Sequence, residues 1–192
     1  MVCKDRREFI QQGMMQQGMI QQDVLVRSVT AATADVFSMM LDMQVELTGF
    51  AADSKPAGNG LISLVGITGN WGGSGVFCCT PALAMIICDR LLGGDRRTAI
   101  DEEVLDVEAE VTNMMIGNIK NALESVTGPL AISVPAVIHG RNFQFRSASG
   151  LTGTALAFGT EGEPFEVRVE LARASQQVAA RCRIPVPGLA HV

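Results

Sequence analysis

Tyrosine is absent from these 192 residues, tryptophan occurs once and histidine only twice. Stacking platforms for single-stranded nucleic acid are therefore lacking. With 15 basic against 20 acidic residues the formal charge is -5, so there is no basic stripe to hold a phosphate backbone, and nucleic acid is not an expected partner. Five cysteines (Cys3, Cys78, Cys79, Cys88, Cys182) are odd in number and form no Cys-x-x-Cys pair, and only His139 and His191 could join them around a metal. That spacing argues against structural zinc and against a disulfide scaffold. It leaves the thiols as small hydrophobes in a reducing compartment, with no metal site expected. The longest unbroken apolar run, Ala82 to Cys88, is far shorter than the ~18–20 residues that span a bilayer. No basic n-region with a small-residue cleavage site opens the chain, so a soluble cytoplasmic protein without membrane insertion is expected.

What is present is a large apolar fraction. Hydrophobic residues make up 47%, and the 20 glycines bring the apolar class to about 57% against a usual ~45–50%. One core-forming domain fits this length. Residues 1–22 carry an imperfect five-residue repeat of Gln-Gln-Gly-Met and read as a flexible Met/Gln-rich tail; 23–172 read as the domain; 173–192, with Pro185 and Pro187, read as a second tail. Apolar residues at three- and four-residue intervals predict a helix from Asp23 to about Leu47, ended by Thr48-Gly49. Ser54 to Gly60 is turn chemistry. Strands are predicted at Leu61–Thr68 and Gly75–Thr80, joined through Gly69-Asn70-Trp71-Gly72-Gly73, which lacks the Gly-Lys-Ser/Thr of a phosphate loop. Pro81 opens a helix that Gly93-Gly94 closes, and a longer helix runs from Thr98 or Asp101 to Val126, with Gly128-Pro129 beyond it. Strand-like runs follow at Leu130–His139, Asn142–Ser147, Gly153–Gly159 and Phe165–Leu171.

Helices precede hairpins twice, which predicts an α+β fold: a mainly antiparallel sheet with helices on one face and a pseudo-duplicated helix-plus-hairpin plan. An echo at an offset of 75 sets Val36-Phe37-Ser38-Met39-Met40 against Val111-Thr112-Asn113-Met114-Met115.

At 100° per residue the long helix gathers Val104, Val111, Met115, Ile119 and Ala122 on one side, flanked by Leu105, Ile116 and Leu123. The opposite arc stacks Asp106, Glu110, Asn113, Gly117, Lys120 and Glu124. A solvated face is the plain account of such an arc. Gly117 tells against it, because mid-helix glycine costs about 1 kcal/mol relative to alanine and an outer arc gives the protein's own core no reason to require it. Asn113, Asn118 and Asn121 are also poor helix formers. Rule-breaking residues gathered on one outer face point to a working surface. Glu110 and Asn113, at i and i+3, project side by side: the carboxylate can dock on a partner's cation, and the carboxamide can donate and accept around a water molecule.

Asp106-x3-Glu110-x2-Asn113, running into Met114-Met115-Ile116-Gly117-Asn118, with Ile132-Ser133-Val134-Pro135-Ala136-Val137-Ile138-His139-Gly140 further on, resembles the CheC/CheX/FliY chemotaxis phosphatases, and CheX most. The looser likeness spans Val29 to Leu171. Asn113 and Pro135 enclose 21 residues where the family pattern has 22, and the echo helix offers Asp35 and Ser38 in place of a second Glu and Asn. The resemblance implies a hydrolase that removes the aspartyl phosphate of a CheY-like response-regulator receiver. Glu110 would pair with the receiver's lysine and Asn113 would orient the attacking water, with Asp106, Gly117 and Lys120 at the partner surface. It also implies Mg²⁺ held by the receiver, no cofactor on this chain, and a homodimer. The alternative is a noncatalytic receiver-binding module related to flagellar switch proteins. A cysteine enzyme using Cys78 or Cys79 lacks any motif that places a general base.

Overall fold

The computed structural model describes residues 20–51, 60–93, 96–141 and 151–174. Most of the Met/Gln-rich stretch, the turn read from Ser54 (except Gly60), the strand read at Asn142–Ser147 and nearly all of the second tail lie outside the described residues. The elements in chain order are α1 (Gln22–Leu41), β1 (Glu46–Phe50), β2 (Gly60–Gly69), β3 (Trp71–Cys79), α2 (Pro81–Leu92), α3 (Glu102–Thr127), β4 (Leu130–Ile132), β5 (Ala136–Gly140), β6 (Thr152–Thr160) and β7 (Glu163–Arg173).

α1 stops six residues before the predicted Leu47. Asp42 takes the left-handed conformation (φ 52°, ψ 42°), and the Met43 N–H closes back on the Phe37 carbonyl at 3.0 Å. Aspartate tolerates this geometry better than most residues, so it ends the helix without a glycine. Leu47 then belongs to β1, an edge strand absent from the sequence reading. Gly72 and Gly73, read as turn, lie inside β3; a Cβ on Gly73 would collide with the Glu170 carbonyl of the adjacent β7, so the neighbouring backbone sets this glycine. At α2 the expected chemistry holds: the Thr80 hydroxyl accepts from the Leu83 N–H at 3.1 Å, Pro81 sits in the first turn, and Gly93 (φ 69°) caps the end.

All ladders are antiparallel, in the order β1-β6-β7-β3-β2-β4, with β5 also on β2. β4 and β5 occupy one edge of β2 but are not the continuous strand expected from Leu130 to His139, because Ser133-Val134-Pro135 intervene. The Ser133 N–H donates to the Gly66 carbonyl, and its hydroxyl accepts from the Gly66 N–H, both at 2.9 Å. The ladder is thereby kept across a segment whose proline has no donor.

The duplicated plan is present in the sheet itself. Mapping α1, β1, β2 and β3 onto α3, β4/β5, β6 and β7 reverses the strand order onto itself, and the two halves meet where β3 pairs with β7. At the offset of 75, Val29, Ala32, Thr33, Val36, Phe37 and Leu41 match Val104, Val107, Glu108, Val111, Thr112 and Ile116, every one buried. The methionines that suggested the offset do not match in environment: Met40 is exposed and Met115 is buried.

The helices cover one sheet face. Phe37 of α1 stacks on Phe165 of β7 (4.8 Å between centroids), Phe158 of β6 stacks on the same ring, and Phe77 of β3 meets Phe37 and Phe165 edge-on. α1 is long and apolar enough by length and composition to cross a membrane. Here its apolar side, including Leu25, Val29, Val36 and Phe37, is buried in the domain core. Ile20, just before it, is buried too.

Candidate functional site

α3 is capped as an acid-led helix should be, though at one of the two expected positions only. Asp101 is the N-cap, its carboxylate accepting from the Val104 N–H at 3.0 Å, with Glu102 and Glu103 in the positive first turn; Thr98 lies outside the helix. Arg97 ties this start to the end of α2, pairing with Asp89 and Glu103 at 2.9 Å each. Gly128 (φ 74°) closes the other end, its N–H on the Glu124 carbonyl at 2.9 Å.

The buried side contains Val104, Val111, Met115, Ile116, Ile119 and Leu123, as the spacing predicts. Ala122 does not join it. It is exposed, as is Val126 one turn on, while Leu123 and Thr127 beside them stay buried, so the covered stripe at this end is narrower than the spacing predicts. Sequence reasoning missed Glu108 and Thr112, which are fully buried polar residues; no pattern of apolar spacing identifies them.

On the outer arc Asp106 and Glu110 are exposed, and Asn113, Gly117, Lys120 and Glu124 are half-buried. The arc divides by what its side chains do. Lys120 pairs with Glu124 at 2.8 Å and also donates to the Asn121 side chain; Glu124 accepts from the Leu130 N–H at 3.0 Å. Those two hydrogen bonds, the Lys120 one first, hold the Glu124 carboxyl below its ordinary range. Glu124 thus fastens the far end of α3 to β4, with Lys120 paired to it on the same helix. Glu110 and Asn113 make no side-chain hydrogen bond or ion pair among the described residues, leaving a carboxylate and a carboxamide unengaged on adjacent turns of a rigid helix.

This surface is a ridge. Two clefts of about 550 and 450 Å³ lie elsewhere, one beside the β6–β7 turn and one between Trp71, Val126 and Arg173, and neither is lined by Glu110 or Asn113. A ridge works by entering a partner's concavity. Gly117 fits this use, since a methyl added there would meet only the Ile132 side chain at 3.8 Å, an ordinary contact. The fold leaves room for alanine. Gly117→Ala is therefore expected to raise unfolding free energy by roughly 0.5–1 kcal/mol in urea titrations. A loss of stability instead would mean that the glycine serves the fold's own packing.

Residues 61–159 match the family model described as chemotaxis phosphatase CheX. The CheY-P phosphatase CheX of Thermotoga maritima is 29% identical over 87 residues, 45% of this chain and 56% of that protein, so the match spans little more than half of the relative's length. The structure of a chemotaxis protein CheX from Desulfovibrio desulfuricans is 25% identical, with a TM-score of 0.64, covering 75% of this chain and 96% of that one. The CheX-CheY-BeF3-Mg complex from Borrelia burgdorferi is 22% identical, with a TM-score of 0.59, covering 78% and 98%.

Proposed function

Because the chain belongs to the chemotaxis phosphatase CheX family, we propose that it hydrolyses the aspartyl phosphate of a CheY-like receiver domain, using the ridge of α3. The observation that carries this reading is the pair of unengaged side chains, Glu110 and Asn113, inside the segment matched by the family model. Glu110 pairs with a lysine of the receiver and sets the approach of the helix. Asn113 enters the phosphorylated pocket and holds a water in line with phosphorus, its carbonyl accepting one water proton while the water's lone pair faces the phosphoryl group. The water's oxygen bonds to phosphorus as the phosphorus–carboxylate bond breaks, giving inorganic phosphate and the free aspartate. Phosphoryl transfer asks of a protein chiefly positioning and charge compensation, and this pair supplies the positioning. Mg²⁺ belongs to the receiver in this scheme, where it offsets phosphoryl charge, and this chain holds no cofactor. Asp106 and Gly117 border the contact, and Lys120 supports it through its hold on Glu124.

The deciding experiment is the decay of a phosphorylated CheY-like receiver in Mg²⁺ with and without this protein. Accelerated phosphate release supports hydrolysis; binding with unchanged decay replaces it with a noncatalytic receiver-binding module. We further propose a cytoplasmic homodimer, for which the outer edges of β1 and of β4/β5, without a strand partner among the described residues, offer pairing to a second copy. Sedimentation of a monomer at micromolar concentration removes that part.

A further inference from the structure

α3 carries a second carboxylate that the proposed chemistry leaves unused. Glu108 stands two residues before Glu110, and the helical turn carries it to the opposite side, against the sheet, where it is 1% exposed. The Cys79 thiol of β3 donates to its Oε1 at 3.3 Å; its Oε2 has no hydrogen-bond partner among the described residues. The Thr112 hydroxyl donates to the Glu108 main-chain carbonyl at 2.7 Å. Among the described residues no cation compensates this carboxyl: burial pushes it up to about 8, opposed only by the thiol hydrogen bond, and no described charged group of α1, α2 or the sheet contributes. The other ionisable groups at this spot, Cys78 and Cys79, are themselves pushed up by burial and by Glu166 or Glu108, with Arg168 drawing Cys78 the other way. At neutral pH Glu108 is mainly an uncharged acid.

Two turns on, Ile116 presses on Gly75 of β3, where a Cβ would come within 2.5 Å of the isoleucine. The helix therefore rests on β3 at residues 108 and 116. Along the helix Glu110 and Asn113 lie between these two rests, turned about 160° and 140° away from Glu108, so a helix seated at both points fixes the direction in which they project.

We infer that Glu108, as an uncharged acid bonded to Cys79, is a positioning residue that holds Glu110 and Asn113 at their outward angle, and that loss of its proton loosens this hold and lowers activity. The inference rests on the phosphatase reading. An ionised Glu108 has no counter-charge among the described residues and is costly where it lies, so loss of the proton weakens the seat of α3 on β3.

The test measures receiver dephosphorylation from pH 6 to 9, corrected at each pH for the receiver's unaided decay, with circular dichroism in the same buffers. Wild type is expected to lose about tenfold in kcat between pH 7 and 9 with little change in KM and a native spectrum. Glu108→Gln, which keeps the acceptor for Cys79 and has no proton to lose, is expected to flatten that profile. Cys79→Ala, which removes the bond from the other side, is expected to lower kcat several-fold at every pH with KM unchanged, and it decides the matter should Glu108→Gln fail to fold. Identical profiles for wild type and Glu108→Gln, a Cys79→Ala protein with wild-type kcat, or activity loss that follows unfolding would each overturn the inference while leaving the phosphatase reading intact. A wild type that never accelerates decay overturns both.

Discussion

Asn113→Ala is expected to return phosphate loss from the receiver to nearly its unaided rate, a fall on the order of 10²-fold in the stimulated step. The alanine keeps the helix, since it is the better helix former, and leaves Glu110 and the rest of the ridge in place. Binding should persist. What disappears is the carboxamide at this point of the helix face, the group proposed to orient water. Stopped-flow decay against enzyme concentration separates the two effects: kcat falls and KM stays close to wild type. Glu110→Lys should do the reverse, raising KM by placing like charge against the receiver's lysine, more steeply at low salt. An Asn113→Ala protein of undiminished kcat would take the water-orienting role away from this residue.

The second large effect is on stability. Unfolded, Glu108 titrates near its ordinary 4.5; folded, it titrates at about 8. Between these values the folded chain holds the proton and the unfolded chain does not. The contribution of this group is thus whole below pH 4.5 and drains at about 1.4 kcal/mol per pH unit as the pH rises, until it is gone above 8. Urea midpoints for wild type should fall across pH 5–8, and those of Glu108→Gln should fall much less. Glu124, whose carboxyl is lowered in the fold, acts the opposite way, losing its contribution only as pH drops through the acid range outside this window. Parallel curves for the two proteins would show that Glu108 is ionised in the folded state at neutral pH.

The sequence made the long helix and its outer arc legible, because Asp101, the acidic first turn and Gly128 are local signals and 3.6-residue spacing sorts one face from the other. It also exposed the duplicated plan and the end of α2. It concealed β1, since Met43 and Leu47 continue the helical spacing past Asp42 and only the backbone angle at that aspartate reveals the stop. Gly73 read as a turn because its reason is a strand about 100 positions away in the chain, an account of tertiary contact that no local pattern holds. Glu108 was silent for the same kind of reason: a carboxylate in the core has no periodic signature, and its partner Cys79 comes from another element. Of the candidate site, the outward residues and the apolar brace Ile116 were readable, and the polar brace Glu108 was not.

The pairing of β3 with β7 bears on how the chain acquires its fold during synthesis. Phe77 lies opposite Val167, 90 positions later, so the central ladder forms only after a loop of that length has closed. A ribosome-bound chain that has emerged only through α3 has the whole outer face of that helix but no strand to complete the first hairpin's open side, and its aromatic residues Phe37 and Phe77 still lack Phe165. Such non-local topology slows folding and leaves nascent chains adhesive until the last strand arrives, which makes β7, and not the ridge, the point at which a premature stop becomes a chaperone substrate.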